Sequence, residues 1–241
     1  MINAMIFAAG LGTRLKPLTD TIPKAMVPFR GKPLLWHSIK SVEKAGAERV
    51  VVNVHHFAEQ IVNYIKQEKW ESEVVISDEQ NNLLDTGGGL VKAIPLFIEN
   101  NPVLVRNADI ITSYDLKELV NNHNRMGADA SLLVMKRKSS RYLIFDDKMV
   151  LSGWKNINTG KTISIRDCDI NNDYGFCGIQ VLSYSFIKKL GEQRKFSIIE
   201  GYLNIGRVNE IKGFKLPDKH SWFDVGSVNK LKEAEYFHHS K

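Results

Sequence analysis

The sequence is poor in cysteine and has no long hydrophobic run. Its 241 residues include two cysteines, Cys168 and Cys177, which exclude a disulfide framework and lack the spacing of a zinc site. Both are interpreted as small buried residues in a reducing compartment. No stretch approaches the roughly 18 apolar residues that cross a membrane, and the N-terminus has neither the basic region nor the cleavage site of a signal peptide. We therefore predict a cytoplasmic protein that does not interact with membranes.

A strong excess of one charge is also absent. Lys and Arg number 33 and Asp and Glu number 27, which gives a formal net charge of +6. Such a balance suits an anionic ligand without choosing between nucleic acid and small phosphates. The densest basic cluster, Lys136-Arg137-Lys138, lacks interleaved aromatic residues and is interpreted as a solvated turn after a strand. We predict no nucleic-acid partner.

The first 110 residues alternate between apolar strands and amphipathic helices. The hydrophobic pattern predicts strands over 4–8, 49–54, 74–76 and 103–105, and helices over 33–45, 57–65 and 87–98. Units in which a strand is followed by a helix predict an α/β fold. We expect a mixed, mainly parallel sheet that lies between two layers of helices.

The second half of the chain is less regular. It predicts strands over 131–135 and 175–182, a hairpin over 142–150 with Asp146-Asp147 in its turn, a polar stretch over 151–174, helices over 184–190 and 197–204, a last strand ending at 222–226, and a closing helix over 228–237. No internal repeat and no Pro/Ser-rich linker is found. The whole chain, residues 1–241, is therefore predicted to form a single domain.

The most specific motif follows the first strand and has the composition of a phosphate-binding loop. It reads Ala8-Ala9-Gly10-Leu11-Gly12-Thr13-Arg14 and continues to Pro23-Lys24. Glycines allow backbone N–H groups to approach phosphate oxygens closely, and Arg14 adds a planar cation that can bind two oxygens at once. A dinucleotide fingerprint would need a third glycine where Leu15 stands, and a Walker A motif would need Gly-Lys-Ser/Thr. Neither is present.

Four shorter motifs lie along the rest of the chain. They are Leu84-Asp85-Thr86-Gly87-Gly88-Gly89, Asn107-Ala108-Asp109, Phe176-Cys177-Gly178-Ile179 and Trp222-Phe223-Asp224-Val225-Gly226. Together with the loop they resemble the sugar-1-phosphate nucleotidylyltransferases, most of all the short N-acetylmuramate-1-phosphate uridylyltransferase type. The resemblance covers essentially the full chain. It implies a three-layer α/β/α, Rossmann-like fold of the nucleotide-diphospho-sugar transferase type, with a nucleotide-binding half at about 1–110 and a sugar-phosphate-binding half at about 111–241.

The resemblance implies an enzyme that transfers a nucleotidyl group from a nucleoside triphosphate to a sugar 1-phosphate. Arg14 would stabilise the triphosphate, and Lys24 would bind the α-phosphate and the incoming sugar phosphate. Asp109 and Asp224 each follow a predicted strand, where open α/β sheets bind ligands. They match the family's ligands for Mg²⁺, which is the cofactor that the resemblance implies.

The resemblance also implies binding residues. The nucleotide is expected to contact Ala9, Gly10, Gly12, Thr13, Gln80, Gly87 and Asn107. Gln80 would read the base and could pair with uracil, thymine or guanine, and Gly87 would offer a free N–H at the start of a helix. Lys155 would meet the sugar phosphate, unless it is an exposed hairpin lysine. Gly178 would leave room for the sugar, unless it is a packing glycine inside a strand.

Several alternatives remain open at the level of sequence. The predicted substrates are UTP and an N-acetylated or similarly bulky hexose 1-phosphate, and the alternative is GTP with a mannose or heptose 1-phosphate. A catalytically silent nucleotide-binding subunit would be expected to lose Arg14, Lys24, Asp109 or Asp224, and all four are present. A GT-A glycosyltransferase usually has an Asp-x-Asp pair, of which Asn107 replaces the first acid. We expect a monomer or a weak homo-oligomer.

Overall fold

The structure is a computed structural model that describes residues 1–167 and 172–239, without the side chains of 238 and 239; Cys168 lies outside these ranges. The strands are β1 (Ile2–Phe7), β2 (Pro28–Phe29), β3 (Lys32–Pro33), β4 (Ala47–Val54), β5 (Glu73–Asp78), β6 (Val103–Asn107), β7 (Ile110–Thr112), β8 (Ala130–Met135), β9 (Arg141–Phe145), β10 (Leu151–Asn156), β11 (Thr162–Ser164), β12 (Asp173–Leu182), β13 (Ile211–Lys215) and β14 (Trp222–Asp224). The helices are α1 (Leu34–Lys44), α2 (Ala58–Gln67), α3 (Asp85–Ala93), α4 (Leu116–Met126), α5 (Tyr184–Lys188), α6 (Ile198–Ile205) and α7 (Val228–His239). In these parts of the chain no helix has the length and apolar character needed to cross a membrane.

Ten strands of the described chain form one mixed sheet. Along its main path the order is β11-β10-β9-β12-β6-β1-β4-β5, and β8 and β13 join it at β12. The strands β5, β4, β1 and β6 run parallel to one another. In contrast, β12 runs antiparallel to β6, β8 and β9. The four parallel strands around β1 therefore come from the first half of the chain, and β12 attaches the second half, which has its own parallel pair β8-β13, to them.

The sheet is buried on both faces, which explains its nearly continuous apolar strands. In β1, Ala4 and Ile6 belong to the apolar cluster that contains Leu35 of α1, whereas Met5 belongs to the cluster that contains Leu90 of α3. Successive side chains of a strand point to opposite faces, so each strand needs apolar residues on both sides. This arrangement confirms the predicted three-layer α/β/α fold with a mixed central sheet.

Two stretches of the chain differ from their predicted structure. The helix predicted over 87–98 begins at Asp85 and ends at Ala93, and a 3-10 turn, Ile94–Leu96, follows it. Pro95 accounts for the end of the α-helix, because proline lacks an N–H and its ring clashes with the preceding turn. Within the stretch 151–174, expected to be polar and irregular, β10 and β11 form an antiparallel hairpin.

Candidate active site

A buried amide anchors the loop that follows β1. Oδ1 of Asn53 accepts the backbone N–H groups of Ala8 and Ala9 at 2.7 and 3.3 Å. Its Nδ2 donates to Oε1 of Glu79 at 2.8 Å, and Oε2 of Glu79 accepts the N–H of Leu84 at 3.0 Å. Asn53 and Glu79 are 3% and 1% exposed. Since buried polar groups are costly unless they are paired, this network fixes the start of the loop before a ligand binds.

Gly12 makes the turn that returns the loop towards Lys24. Its φ is +67°, and a Cβ at this position would lie 2.9 Å from Cγ2 of Thr19 and 3.0 Å from Cβ of Lys24. Oγ1 of Thr19 donates to the carbonyl of Gly12 at 2.8 Å. A residue with a side chain would be strained in this backbone and crowded against its neighbours. The 3-10 helix Thr13–Leu15, which carries Arg14, follows directly.

An ion pair between Lys24 and Asp109 joins the segment that follows the glycine-rich loop to the loop that follows β6. Pro23 is extended, with φ −67° and ψ 149°, and places Lys24 at the start of the 3-10 helix Lys24–Met26. Asp109 follows β6, which pairs in parallel with β1. The loops after two neighbouring parallel strands meet at the same edge of a sheet. Two residues that the sequence assigned to phosphate and metal binding are thus in direct contact.

A cavity of about 330 Å³, called here the first cavity, lies at the carboxyl ends of β1, β4 and β6. Of the residues predicted from sequence, its lining contains Ala9, Gly10, Lys24, Asn107 and Asp109. Its other lining residues include Asn53, Glu79, Leu83, Asp85, Thr86, Ala108 and Lys195. The position agrees with the expected binding edge of an open α/β sheet.

The strand β14 brings Asp224 to the same edge and creates a second cavity. Because β14 pairs antiparallel with β7, Asp224 lies opposite Ile110, and the N–H of Val225 donates to the carbonyl of Asp109 at 2.9 Å. The second cavity has a volume of about 200 Å³. Its lining contains Arg14, Asn107, Asp109, Arg137, Phe176, Cys177, Gly178, Trp222 and Asp224. Asp109 also lines the first cavity, so the two cavities adjoin.

Asp109 and Asp224 are the acidic residues that line the second cavity. Across residues 1–167 and 172–239, no three His, Cys, Asp or Glu side chains cluster as a complete protein-only metal site. Mg²⁺ commonly takes one or two protein carboxylates and completes its oxygen shell with water and substrate phosphates. Two carboxylates beside a cavity of this size fit such a partial site.

A buried cation, Arg106, supports this edge of the sheet and was not predicted. Arg106 is 2% exposed and donates hydrogen bonds to Oγ of Ser41 and to the carbonyl of Ile110. Burial lowers the pKa of Arg106 to about 10, against the opposing effect of the Asp109 carboxylate. The guanidinium is therefore charged at neutral pH and holds the turn that carries Asp109.

Gly178 lies at a break in β12. The register between β12 and β8 shifts between Phe176 and Gln180, and the pairing of β12 with β6 begins at Ile179. Gly178 has a φ of +72°, and a Cβ there would lie 2.9 Å from Nδ2 of Asn107. A side chain at this position would be strained and would press on the second cavity. The glycine therefore belongs to the shape of the cavity, beyond the packing of a strand.

Five residues predicted to bind ligands lie outside both cavities, namely Gly12, Thr13, Gln80, Gly87 and Lys155. Gln80 is exposed, and its Nε2 donates to Oδ2 of Asp78 at 3.1 Å. Lys155 lies on the hairpin β10-β11 and forms an ion pair with Asp173. The structure brings neither side chain to the lining of the first or the second cavity.

The glycine run of α3 was expected to offer free N–H groups, and this expectation is wrong. The N–H groups of Gly87 and Gly88 donate to the carbonyl of Phe196 at 2.9 and 3.2 Å. A Cβ on Gly87 would lie 2.4 Å from the ring of Phe196, and one on Gly88 would lie 2.0 Å from the carbonyl oxygen of Arg194. Gly87 and Gly88 have no room for a side chain because the loop before α6 packs directly on them, and Gly87 lines neither cavity.

Three residues remain to be placed relative to the cavities: Thr13, which was predicted to bind the nucleotide, and Asn53 and Arg137, which were not predicted to bind a ligand. Thr13 belongs to the glycine-rich loop without lining either cavity. Asn53 was missed, although a polar residue inside the β-branched run 49–54 was a signal for it. Arg137, interpreted from sequence as part of a solvated turn, instead lines the second cavity. Its neighbours Lys136 and Lys138 are both exposed, so the composition of this basic cluster does not distinguish Arg137 from them.

Comparisons with known proteins agree with this geometry. A family model described as nucleotidyl transferase matches residues 3–145. Mannose-1-phosphate guanylyltransferase 1 of Arabidopsis thaliana is 33% identical over 138 residues, which cover 56% of this chain and 38% of that protein. N-acetylmuramate alpha-1-phosphate uridylyltransferase of Caulobacter vibrioides is 43% identical over 111 residues, which cover 45% of this chain and 46% of that protein. The match thus spans less than half the length of each curated relative.

A solved structure supports the fold over the whole chain. HddC from Yersinia pseudotuberculosis, crystallised with GMP-PN, superposes with a TM-score of 0.77 at 24% sequence identity. The superposition covers 99% of this chain and 100% of that chain. At this level of identity the likeness concerns the arrangement of strands and helices.

Proposed function

Because the chain belongs to the nucleotidyl transferase family, we propose that it transfers a nucleotidyl group from a nucleoside triphosphate to a sugar 1-phosphate. The observation that carries this proposal is the junction of the two cavities at Asp109, with Lys24 in contact with it. One cavity takes the nucleotide and the adjoining one takes the sugar phosphate. The reacting phosphates then meet where the two cavities adjoin, and the protein supplies both a cation and a carboxylate there.

The reaction is a displacement at phosphorus. A phosphate oxygen of the sugar 1-phosphate bonds to the α-phosphorus, and the bond from that phosphorus to the oxygen bridging the α- and β-phosphates breaks. Pyrophosphate leaves in line. Since the nucleophile is already an anion, positioning and charge neutralisation matter more than a strong base.

Each residue has a role that its position supports. Backbone groups of Ala9 and Gly10, in the loop that Gly12 and Thr13 shape, hold the nucleotide from one side of the first cavity, and Asn107 holds it from the other. Lys24 binds the α-phosphate and the attacking phosphate, and Arg14 stabilises the departing pyrophosphate. Fixed cations aimed at charge that develops in the transition state contribute about 3–4 kcal/mol each.

Asp109 and Asp224 are the residues that would hold Mg²⁺. Both carboxylates line the second cavity and are linked through the pairing of β7 with β14. When bound, Mg²⁺ neutralises phosphate charge and makes the phosphorus easier to attack. Gly178 leaves the space beside Asn107 in which the sugar phosphate is held.

The proposed substrates are UTP and an N-acetylated or similarly bulky hexose 1-phosphate. Support comes from the higher identity, 43%, to the uridylyltransferase of Caulobacter vibrioides. Because Gln80 lies outside the first cavity, base selection passes to residues that line it, among them Leu83, Thr86 and Lys195. A GTP-dependent mannose- or heptose-1-phosphate guanylyltransferase is the second candidate, and the 33% identity to the Arabidopsis guanylyltransferase favours it.

Pyrophosphate release tests the proposal directly. The protein is incubated with Mg²⁺, one of UTP, dTTP, GTP, CTP or ATP, and one of N-acetylglucosamine, N-acetylmuramate, mannose or glucose 1-phosphate. We expect release with UTP and an N-acetylated sugar phosphate. Release with GTP and mannose 1-phosphate alone would replace the first candidate by the second.

Two further outcomes would contradict the proposed activity. A rise in melting temperature with a nucleotide, but no pyrophosphate with any pair, would indicate a silent binding subunit, since a ligand at 100 times its Kd adds about 2.7 kcal/mol of stability. Sugar transfer from a preformed nucleotide sugar, without pyrophosphate release, would indicate a glycosyltransferase.

A further inference from the structure

Arg137 lies in the second cavity and is held there by an aromatic ring. Its guanidinium carbon is 4.9 Å from the centre of the Trp222 ring, and both residues line the cavity. The neighbouring Lys136 and Lys138 are exposed, whereas Arg137 is half-buried. A guanidinium is attracted to an aromatic face at this distance, so the Trp222 ring helps to hold Arg137 in the cavity.

Two successive carbonyls of β12 complete this support. Nη2 of Arg137 donates to the carbonyl of Phe176 at 3.0 Å, and Nε1 of Trp222 donates to the carbonyl of Cys177 at 2.9 Å. Both carbonyls lie where the register between β12 and β8 shifts, just before Gly178. The break in the strand offers these acceptors to side chains. The guanidinium is therefore oriented by the same irregularity that shapes the cavity.

The charge of Arg137 has no carboxylate partner among the residues that the structure describes. Each ion pair found there joins other residues. Its Nε is buried without a hydrogen-bond partner in the same ranges. A cation that is partly desolvated and unpaired is costly to hold. Ligands with negative charge relieve that cost when they bind.

Lys155 presents the opposite situation. Its ammonium is paired with Asp173 and lies 5.7 Å from the centre of the Tyr142 ring, outside both cavities. To reach a phosphate in the second cavity it would have to leave a carboxylate. Arg137 already lines this cavity, together with Arg14, Asp109 and Asp224.

We propose that Arg137 binds the phosphate of the sugar 1-phosphate, the role that the sequence assigned to Lys155. The inference rests on the proposed function and names one further binding residue for it. The phosphate group of a sugar 1-phosphate is a dianion, and two of its oxygens can accept the two parallel N–H groups of a guanidinium. Arg137 contacts the phosphate on the side of Gly178 and Trp222, and Lys24 contacts it on the side of the first cavity.

Direct binding measurements test this assignment. Mannose 1-phosphate and N-acetylglucosamine 1-phosphate are titrated by calorimetry, with Mg²⁺ present, into the unmodified protein and into Arg137→Gln, Arg137→Lys and Lys155→Gln. Loss of a charge-assisted pair of hydrogen bonds should raise the Kd of a bound sugar phosphate about 10- to 100-fold in Arg137→Gln. Arg137→Lys should recover part of the affinity, because it keeps the charge and loses the fork. Lys155→Gln, the matched control, should change the Kd less than about twofold.

A Kd that is unchanged in Arg137→Gln, or that rises in Lys155→Gln instead, would overturn the assignment. A loss of affinity in Arg137→Gln that is found with glucuronic acid 1-phosphate but not with the other two sugar phosphates would also overturn the assignment. An equal loss of nucleotide affinity would overturn it too. If Arg137→Gln fails to fold, Arg137→Lys decides, since a purely structural role predicts full affinity once the fold is kept. Pyrophosphate release by the unmodified protein is scored separately. Its absence would overturn the proposed activity and leave a phosphate site at Arg137 standing.

Discussion

The first cavity is lined by the loop that follows β1 and by a buried amide–carboxylate pair, whereas the second is lined by two side chains that donate to carbonyls at a break in β12. In the first, Asn53 and Glu79 pin the loop that follows β1 at the ends of neighbouring parallel strands. In the second, Arg137 and Trp222 are aimed by a break in an antiparallel strand. The comparison indicates that a site can combine a wall set by sheet geometry with one set by local irregularity.

The largest expected effect concerns the carboxylates at the shared edge of the cavities. The double variant Asp109→Asn, Asp224→Asn should lower turnover by at least about 10³-fold, because the phosphate charge is then left without its metal. EDTA should abolish turnover in the unmodified protein, and excess Mg²⁺ should restore it. Asp147→Asn, in an exposed turn of the β9-β10 hairpin, is the control. A double variant with full activity would remove both carboxylates from the mechanism.

Lys24 tests whether the first cavity contributes to chemistry beyond binding. Lys24→Ala should lower kcat by about 10²-fold or more, with the nucleotide affinity little changed, because its charge is aimed at the transition state. Lys32→Ala, on the short strand β3, whose exposed ammonium pairs with Glu68, is the control. A kcat equal to that of the unmodified protein would contradict the role of Lys24.

Asn53 tests how strongly the first cavity is pre-formed. Asn53→Ala would leave the N–H groups of Ala8 and Ala9 and one oxygen of Glu79 without their partner. We expect the free energy of unfolding to fall by about 3 kcal/mol, measured by denaturant titration. Asn158→Ala, in an exposed turn, should change it by less than about 0.5 kcal/mol. Equal effects of the two substitutions would mean that the buried network does not hold the loop.

The smallest predicted effect is a pH dependence of stability that arises from His123. Nδ1 of His123 on α4 forms a hydrogen bond with Oγ of Ser131 on β8, the strand that leads to Arg137. Burial lowers the pKa of His123 to about 4, against a weaker opposing effect of Asp129. The unfolded chain takes up a proton near its ordinary pKa and the folded protein does not, so stability falls as pH falls below about 6.5.

That pH dependence can be isolated by substitution. Between pH 7 and pH 5 the contribution of His123 should cost about 2 kcal/mol of unfolding free energy. His123→Gln should lack this component while it keeps the other acid-sensitive groups. The difference between the two proteins, followed by denaturant titration at each pH, should shrink as the pH is lowered. A difference that is constant with pH would show that His123 is protonated to the same extent in both states.

The sequence predicts five lining residues of each cavity, which are Ala9, Gly10, Lys24, Asn107 and Asp109 in the first and Arg14, Asn107, Asp109, Gly178 and Asp224 in the second. The glycine loop and Asp109 directly follow predicted strands, so their convergence at one sheet edge needs only the parallel order of β1 and β6. Lys24 and Asp224 were assigned through the motifs that contain them. Gln80 failed because a turn can slip by one residue, which here places Glu79 inside and Gln80 outside. Arg137 could not be found, since its position depends on the pairing of β8 with β12 and of β14 with β7, which no local pattern encodes.

The central position of β12 also has a consequence for how the chain acquires its structure. On the side facing away from β1, the edge of β6 is covered by β12, which lies far along the chain. Until residue 182 has been synthesised, β6 presents a row of open N–H and C=O groups, the kind of edge that recruits strands from other molecules. We therefore expect a chain cut after residue 110 to aggregate, even though it contains the complete glycine loop. Productive folding must wait for the later half to arrive, and long-range pairing of this kind slows it.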